Sequence, residues 1–160
     1  MKSNQLTFKM TDVKGQIQNI VTMSKEQFKE VDFNYRCKNE TVNGYVSQAA
    51  LYQVIVNLIK NSVEAISEQE FPTIDIELFV ENEQINIDVI DNGFGITASD
   101  FESVFQPFYS SKESSGLGLA FCKKIIIEHR GCIKIINSNS KGTHIRVSLP
   151  QFEYSMAVNV

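Results

Sequence analysis

The chain has 160 residues, 42% of them apolar, and a formal net charge of −4. This length fits one domain with its own apolar core, and an acidic chain without any Lys/Arg-rich run argues against nucleic-acid binding. No apolar stretch approaches the roughly 18 residues of a membrane helix, and the first residues lack the apolar core of a signal peptide. Three widely spaced cysteines predict free thiols in a reducing compartment, without a disulfide framework or a zinc site: Cys37, Cys122 and Cys132.

Hydrophobic periodicity predicts the elements in chain order. They are a helix over 12–29, a strand over 31–36, a loop over 37–43, a helix over 47–67, hairpin-joined strands over 74–80 and 85–89, a short helix over 99–105, a polar loop over 107–115, a helix over 117–129, and a strand pair over 132–137 and 143–149. Hairpins favour antiparallel pairing. The order therefore predicts an α/β (α+β) fold, a two-layer sandwich of a mixed, mostly antiparallel sheet with helices on one face.

Two amides lie four residues apart on the strongest predicted helix. Asn57 and Asn61 fall beside its apolar stripe, so both can face a pocket while the stripe seals the core. Amide oxygens are hard ligands that suit Mg²⁺, although two solvated asparagines explain the same pattern.

A glycine-rich segment, Asp91-Asn92-Gly93-Phe94-Gly95, follows a buried-looking strand. Its carboxylate can accept a hydrogen bond from a donor such as the amino group of adenine, and its glycines let a ligand approach the backbone. A simple turn is the alternative, since Asn-Gly is a strong turn signal.

A second glycine segment, Gly116-Leu117-Gly118-Leu119, opens the last helix, where free N–H groups attract phosphate. It matches neither a Walker loop nor a dinucleotide fingerprint. Between the glycine segments, Phe105 and Phe108 can anchor the base of a loop from which Lys112 reaches a phosphate, or all three belong to an ordinary surface loop.

In order and spacing these segments resemble the nucleotide-binding boxes of the histidine-kinase catalytic domain, in the family shared with gyrase B, the 90-kDa heat-shock protein and MutL. The segment 51–65 resembles the N box, 91–96 the first glycine box, 105–108 the F box and 116–120 the second glycine box, with Gly142-Thr143 also matching. The resemblance spans about 31–150 and implies the Bergerat-type ATP-binding fold, with ATP and Mg²⁺ as cofactors.

The resemblance also implies a role for each matching position. Asn61 would coordinate Mg²⁺ with Asn57 nearby. Asp91 would bind the adenine amino group. The residues expected around the base, the lid and the phosphates are Gly93, Gly95, Ile96, Thr143, Phe105, Phe108, Gly116, Leu117, Gly118 and Leu119. Lys60 and Lys112 would neutralise phosphate charge, because Glu64 stands where some members carry a basic residue.

Position 57 separates the branches of this family. Members that activate water or a serine usually carry glutamate there, whereas Asn57 matches the histidine kinases, whose nucleophile needs no strong base. No stretch resembles the phosphoacceptor box, and neither His129 nor His144 fits it. We therefore expect an ATP-dependent histidine kinase domain that does not label itself and acts on a histidine of another domain.

The expected organisation is an N-terminal helix or linker over 1–30, a catalytic domain over 31–150 and a tail over 151–160. Residues 1–30 would end a missing histidine-bearing dimerisation domain, so we expect a cytoplasmic monomer, whose parent can be membrane-bound and pass phosphate to a response regulator. An anti-sigma-type serine kinase and a scaffold that binds a nucleotide or nothing are the alternatives.

Overall fold

The computed structural model describes residues 5–109 and 118–152. Its elements, in chain order, are β1 (Lys9–Asp12), α1 (Val13–Gln27), β2 (Asp32–Cys37), β3 (Asn43–Val46), α2 (Gln48–Ala65), β4 (Thr73–Glu81), β5 (Gln84–Asp91), the 3₁₀ turns Ala98–Asp100 and Ser103–Phe105, α3 (Gly118–Glu128), β6 (Cys132–Asn139) and β7 (Gly142–Pro150). None of the helices in this part of the chain is both long and apolar enough to cross a bilayer.

Five strands form one sheet in the order β2-β4-β5-β7-β6. Only the β2–β4 pair is parallel, and the other three pairs are antiparallel. The three helices pack on one face of this sheet, α1 on β2, α2 on β4 and β5, and α3 on β6. The predicted two-layer sandwich with a mixed, mostly antiparallel sheet is confirmed.

The core lies between the helices and the sheet, where alternating strand residues meet the apolar sides of the helices. The alternating residues of β4 and β5 on this face include six aliphatic side chains with at most 2% exposure: Ile74, Ile76, Leu78, Ile85, Ile87 and Val89. The opposite face is polar, and its most buried charge is Asp88, which accepts hydrogen bonds from Arg146 Nε at 2.7 Å and His144 Nε2 at 2.8 Å. Burial alone would raise the pKa of the Asp88 carboxyl, but these hydrogen bonds hold that pKa below its ordinary value.

Two short strands, β1 and β3, form a separate antiparallel pair that the sequence pattern did not predict. The pair leads directly into α1, since Asp12 caps that helix by accepting a 3.0 Å hydrogen bond from Gly15 N. In turn α1 buries Val13 and Ile17 completely. The segment 9–27 is therefore packed on the sheet, while the proposed division of the chain at residue 30 stays a prediction.

The short helix predicted over 99–105 is instead two single 3₁₀ turns, held by i→i+3 bonds such as Asp100 N to Thr97 O at 2.8 Å. Pro107 explains why no helix continues, because it disfavours helical geometry in the residue before it. Gln106 is accordingly extended, with φ −82° and ψ 146°.

Candidate nucleotide-binding site

Helix α2 carries the two predicted amides on the rim of its buried stripe, toward α3. Asn57 and Asn61 are both half-buried. The Asn57 amide lies near the thiol of Cys122 in α3, and this thiol donates to Val54 O of α2 at 3.7 Å. A Cβ placed on Gly118, the first residue of α3, would lie 4.0 Å from both Asn61 amide atoms. The amide pair and the start of α3 therefore face each other.

The carboxylate of Asp91 lies at the end of β5 and is held by three donors. Its Oδ2 accepts from Ser62 Oγ at 2.9 Å, and its Oδ1 accepts from Gly93 N at 2.9 Å and Thr143 N at 3.3 Å. The residue is only 8% exposed. Burial raises the pKa of this carboxyl above its ordinary value, and the three hydrogen bonds oppose that rise. The result is a fixed, desolvated acceptor beside α2.

The loop after Asp91 can follow its path only because it contains glycines. Gly95 has φ +81°, and a Cβ there would lie 1.9 Å from Asn139 O. At Gly93 a Cβ would meet Ala65 O of α2 at 2.6 Å. Directly before these glycines, Asn92 is a structural residue, because its side chain accepts from Thr73 N and donates to Phe71 O. The loop is thus pressed between α2 and the end of β6.

A serine that the sequence pattern did not single out joins this loop to Thr143. Ser138 Oγ accepts from Ile96 N at 2.6 Å and lies 2.8 Å from Thr143 Oγ1. Ser62 was likewise missed, because it occupies the apolar stripe of α2 and resembles a core position. A lone serine in a helix or strand has no spacing signal, so only the geometry could identify either residue.

The two phenylalanines of the predicted lid base differ in position. Phe105 is 8% exposed and packs in the core, with Lys123 Nζ 5.9 Å from its ring centroid. Phe108 is 80% exposed, so of the two aromatics only Phe105 is a buried anchor. Lys112, Gly116 and Leu117 lie outside the described residues.

The remaining predicted residues divide between the site and another part of α2. Leu119, in the first turn of α3, is half-buried against the core. Lys60 is exposed and lines a groove with Ile20, Met23 and Phe28. The structure therefore places Lys60 on the side of α2 next to α1, whereas Asn61 lies next to α3.

Both histidines are engaged in structural contacts. His129 is 6% exposed; its Nε2 accepts from Ser47 N at 3.1 Å and its Nδ1 donates to Ile125 O at 2.8 Å. Burial lowers the pKa of His129, which favours the neutral ring. His144 contacts Asp88 on the polar face of the sheet. Neither ring nitrogen of His129 is free to act as a nucleophile.

Comparison with known proteins gives a family match over residues 46–153, to the model described as "Histidine kinase-, DNA gyrase B-, and HSP90-like ATPase". Sporulation kinase C of Bacillus subtilis is 34% identical over 142 residues, which cover 88% of this chain and 30% of that protein. Sporulation kinase D of the same organism is 38% identical over 99 residues, covering 61% of this chain and 19% of its own length. The chain thus spans less than a third of these curated relatives.

Solved structures show the same likeness. The catalytic domain of the histidine kinase ThkA superimposes with a TM-score of 0.84 at 26% identity, covering 92% of this chain and all of that one. ThkA in complex with the response regulator protein TrrA matches with a TM-score of 0.81 at 26% identity, over 94% of this chain and 43% of that chain.

Proposed function

The chain belongs to the family of histidine kinase-, DNA gyrase B- and HSP90-like ATPases, and we propose that it binds ATP with Mg²⁺ and phosphorylates a histidine on another domain. The observation that carries the proposal is the arrangement around Asp91. One desolvated acceptor is fixed beside a glycine loop, and two amides face the start of a helix across a narrow gap.

The base would be held at Asp91. Adenine presents an exocyclic amino donor, and the carboxylate offers an acceptor in a fixed place. Gly95 allows the loop to follow its path beside this carboxylate, because a Cβ there would overlap Asn139 O. Ile96 and Thr143 lie beside this position, and both hydrogen-bond the Ser138 hydroxyl.

The phosphates and Mg²⁺ would lie between α2 and α3. Two amide oxygens can ligate an ion that keeps several waters and shares the phosphate oxygens. Among the described residues no three His, Cys, Asp or Glu side chains come together as a metal site, so the donors at hand are Asn57 and Asn61. When bound, Mg²⁺ neutralises charge on the transferred phosphoryl group. The N–H groups that open α3 at Gly118 favour a phosphate there, and Lys112 would add a positive charge.

The acceptor would be a histidine supplied from outside this chain. Asn57 offers no base, and a histidine lone pair needs none, so catalysis would consist of positioning and electrostatic stabilisation. His129 is unsuited because both ring nitrogens are hydrogen-bonded. We propose a histidine-bearing dimerisation domain of the parent protein as the substrate and a response regulator as the next acceptor, by analogy with the ThkA–TrrA complex. We also propose that this chain alone is monomeric and cytoplasmic.

Calorimetry with Mg²⁺-ADP tests the nucleotide site. We expect binding by the parent chain and no binding by Asp91→Asn, which replaces half of the acceptor with a donor. Asp75→Asn is the matched control, because it removes the same charge on the polar face of β4. There the Asp75 side chain accepts a hydrogen bond from Asn34. Binding retained by Asp91→Asn, or lost by Asp75→Asn, would contradict the assignment.

Labelling with γ-labelled ATP tests the reaction. Alone, the chain should remain unlabelled. Mixed with the histidine-bearing domain of its parent, it should label that domain through a bond that is stable to base and labile to acid. An acid-stable label on serine would indicate an anti-sigma-type kinase, and the absence of nucleotide binding would indicate a scaffold.

A further inference from the structure

A single hydroxyl at the end of β6 connects the two sides of the proposed base pocket. Ser138 pairs with Thr143 across the β6–β7 ladder, and Thr143 pairs with Asp91 across the β5–β7 ladder. Ser138 Oγ accepts from Ile96 N at 2.6 Å, so it also fixes the backbone of the glycine loop. Two strands, β6 and β7, and one loop therefore meet at this side chain, and β5 is joined to them through Thr143.

The number of protons leaves two arrangements of the hydrogen bonds around the Ser138 hydroxyl. A serine hydroxyl has one proton and two lone pairs, and the Ile96 amide already uses one lone pair. Ser138 can donate to Thr143 Oγ1 at 2.8 Å or to Gly142 O at 3.3 Å. The Ser138–Thr143 contact has the usual length of an O–H···O bond, and either hydroxyl can donate in it. With Ser138 as the donor, the Thr143 proton remains available for a ligand.

This arrangement places a donor beside an acceptor. Thr143 N donates to Asp91 Oδ1, so the Thr143 side chain lies next to that carboxylate on the same rung of the sheet. Adenine has the complementary edge, in which the N6 amino donor is adjacent to the N1 acceptor. Guanine presents an acceptor at O6 and a donor at N1, which mismatch both groups.

We propose that Ser138 is a positioning residue for base recognition: it keeps the Thr143 hydroxyl as a donor toward adenine N1, directly or through one water. This inference rests on the proposed binding of an adenine nucleotide at Asp91. Ser138 would not contact the ligand itself, and its effect on binding would act through Thr143.

The test compares ADP with 1-deaza-ADP, whose N1 acceptor is replaced by C–H, in calorimetry with Mg²⁺. The parent chain should bind 1-deaza-ADP on the order of tenfold more weakly than ADP, the value of one hydrogen bond. Ser138→Ala should weaken ADP binding by a similar factor and leave 1-deaza-ADP unchanged, so that the two ligands bind equally. Ser138→Thr keeps a hydroxyl and should restore the preference.

Ser148→Ala is the matched control. Ser148 lies near the other end of β7 and donates to Asn86 Oδ1 at 2.7 Å, so its loss removes one side-chain hydrogen bond far from the pocket. It should bind both ligands like the parent chain. Parallel weakening of both ligands by Ser138→Ala, unchanged ADP binding in that variant, or no preference in the parent chain would overturn the inference. Absence of ADP binding by the parent chain would instead overturn the proposed function.

Discussion

The hydroxyl of Ser62 donates a 2.9 Å hydrogen bond to Oδ2 of Asp91, and this bond joins α2 to the end of β5. Ser62 is 5% exposed and lies one residue after Asn61. The same turn of α2 therefore contributes an amide to the proposed metal site and fixes the proposed base acceptor, so that the two ends of a bound nucleotide are set by one helix.

Replacement of this serine should change both stability and the pH dependence of binding. Ser62→Ala removes a buried hydrogen bond to a carboxylate, which costs about 1.5–3 kcal/mol of unfolding free energy. It also removes a donor that opposes the raised pKa of Asp91. Because ADP needs the ionised acceptor, binding should fail on acidification at a higher pH in the variant than in the parent chain.

Urea unfolding and calorimetry from pH 7.5 to pH 5 measure the two effects. Ser148→Ala again provides a control, since it loses a hydrogen bond to the neutral Asn86 and leaves Asp91 untouched. An unchanged acid midpoint for ADP binding in Ser62→Ala would show that the hydroxyl does not influence the carboxylate.

Two glycines of the site should respond oppositely to alanine. At Gly95 the backbone has φ +81° and an added Cβ would overlap Asn139 O, so Gly95→Ala should destabilise the fold by several kcal/mol. At Gly118 the nearest atoms are the Asn61 amide at 4.0 Å, and alanine favours the helix, so Gly118→Ala should fold at least as stably as the parent chain.

Gly118→Ala should differ from the parent chain in its affinity for ADP. The added methyl group of Gly118→Ala occupies the gap between α3 and Asn61, where the phosphates and Mg²⁺ are proposed to lie. We expect a normal thermal midpoint with ADP affinity reduced on the order of tenfold or more. Undiminished affinity would place the phosphates elsewhere.

Long regular elements of this fold could be predicted from the sequence, whereas short non-local ones could not. The stripe of α2 and the alternation of β4 and β5 are local signals over many residues. By contrast, β1 and β3 are four residues each, and their pairing joins Lys9 to Val46, so nothing in either segment alone indicates a strand. The two 3₁₀ turns were mistaken for one short helix because so short a segment gives too little periodicity to identify its structure.

The candidate site shows the same division. Asp91, Asn61 and the glycines were predicted because they occur in spaced motifs. Ser62 and Ser138 were not, since their hydrogen bonds to Asp91 and Ile96 join residues distant in sequence. Lys60 lies beside α1 because of the way α1 packs, and the spacing of residues within α2 does not predict that packing.

Cys122 and Cys132 should differ in reactivity. Cys132 is exposed, whereas Cys122 is fully buried in the α2–α3 contact, and burial raises the pKa of its thiol to about 12. At pH 8 a thiol reagent should modify Cys132 first and leave Cys122 unmodified until the domain unfolds. Mass spectrometry of the peptides after timed labelling measures this order, and fast labelling of Cys122 in the folded chain would contradict the described packing.

His129 should make the domain sensitive to mild acid. Its ring accepts from Ser47 N at the start of α2 and contacts the ring of Phe8 edge-on at 4.8 Å. Burial lowers its folded-state pKa below the ordinary value of 6.5, so between these two values the unfolded chain binds more protons than the folded one. By linkage, the contribution of His129 to stability is complete above pH 6.5 and decreases as the pH falls below it.

His129→Gln tests this relation because it removes the titrating group. At pH 7.5 the variant should lose about 1–3 kcal/mol of unfolding free energy, since Ser47 N loses a well-placed acceptor. The difference from the parent chain should shrink as the pH falls from 6.5 toward 5, because only the parent chain then loses the contribution of a neutral ring. Asp88, whose pKa is lowered, becomes protonated at lower pH and does so in both proteins. Parallel stability curves over this interval would show that His129 does not titrate differently in the folded and unfolded states.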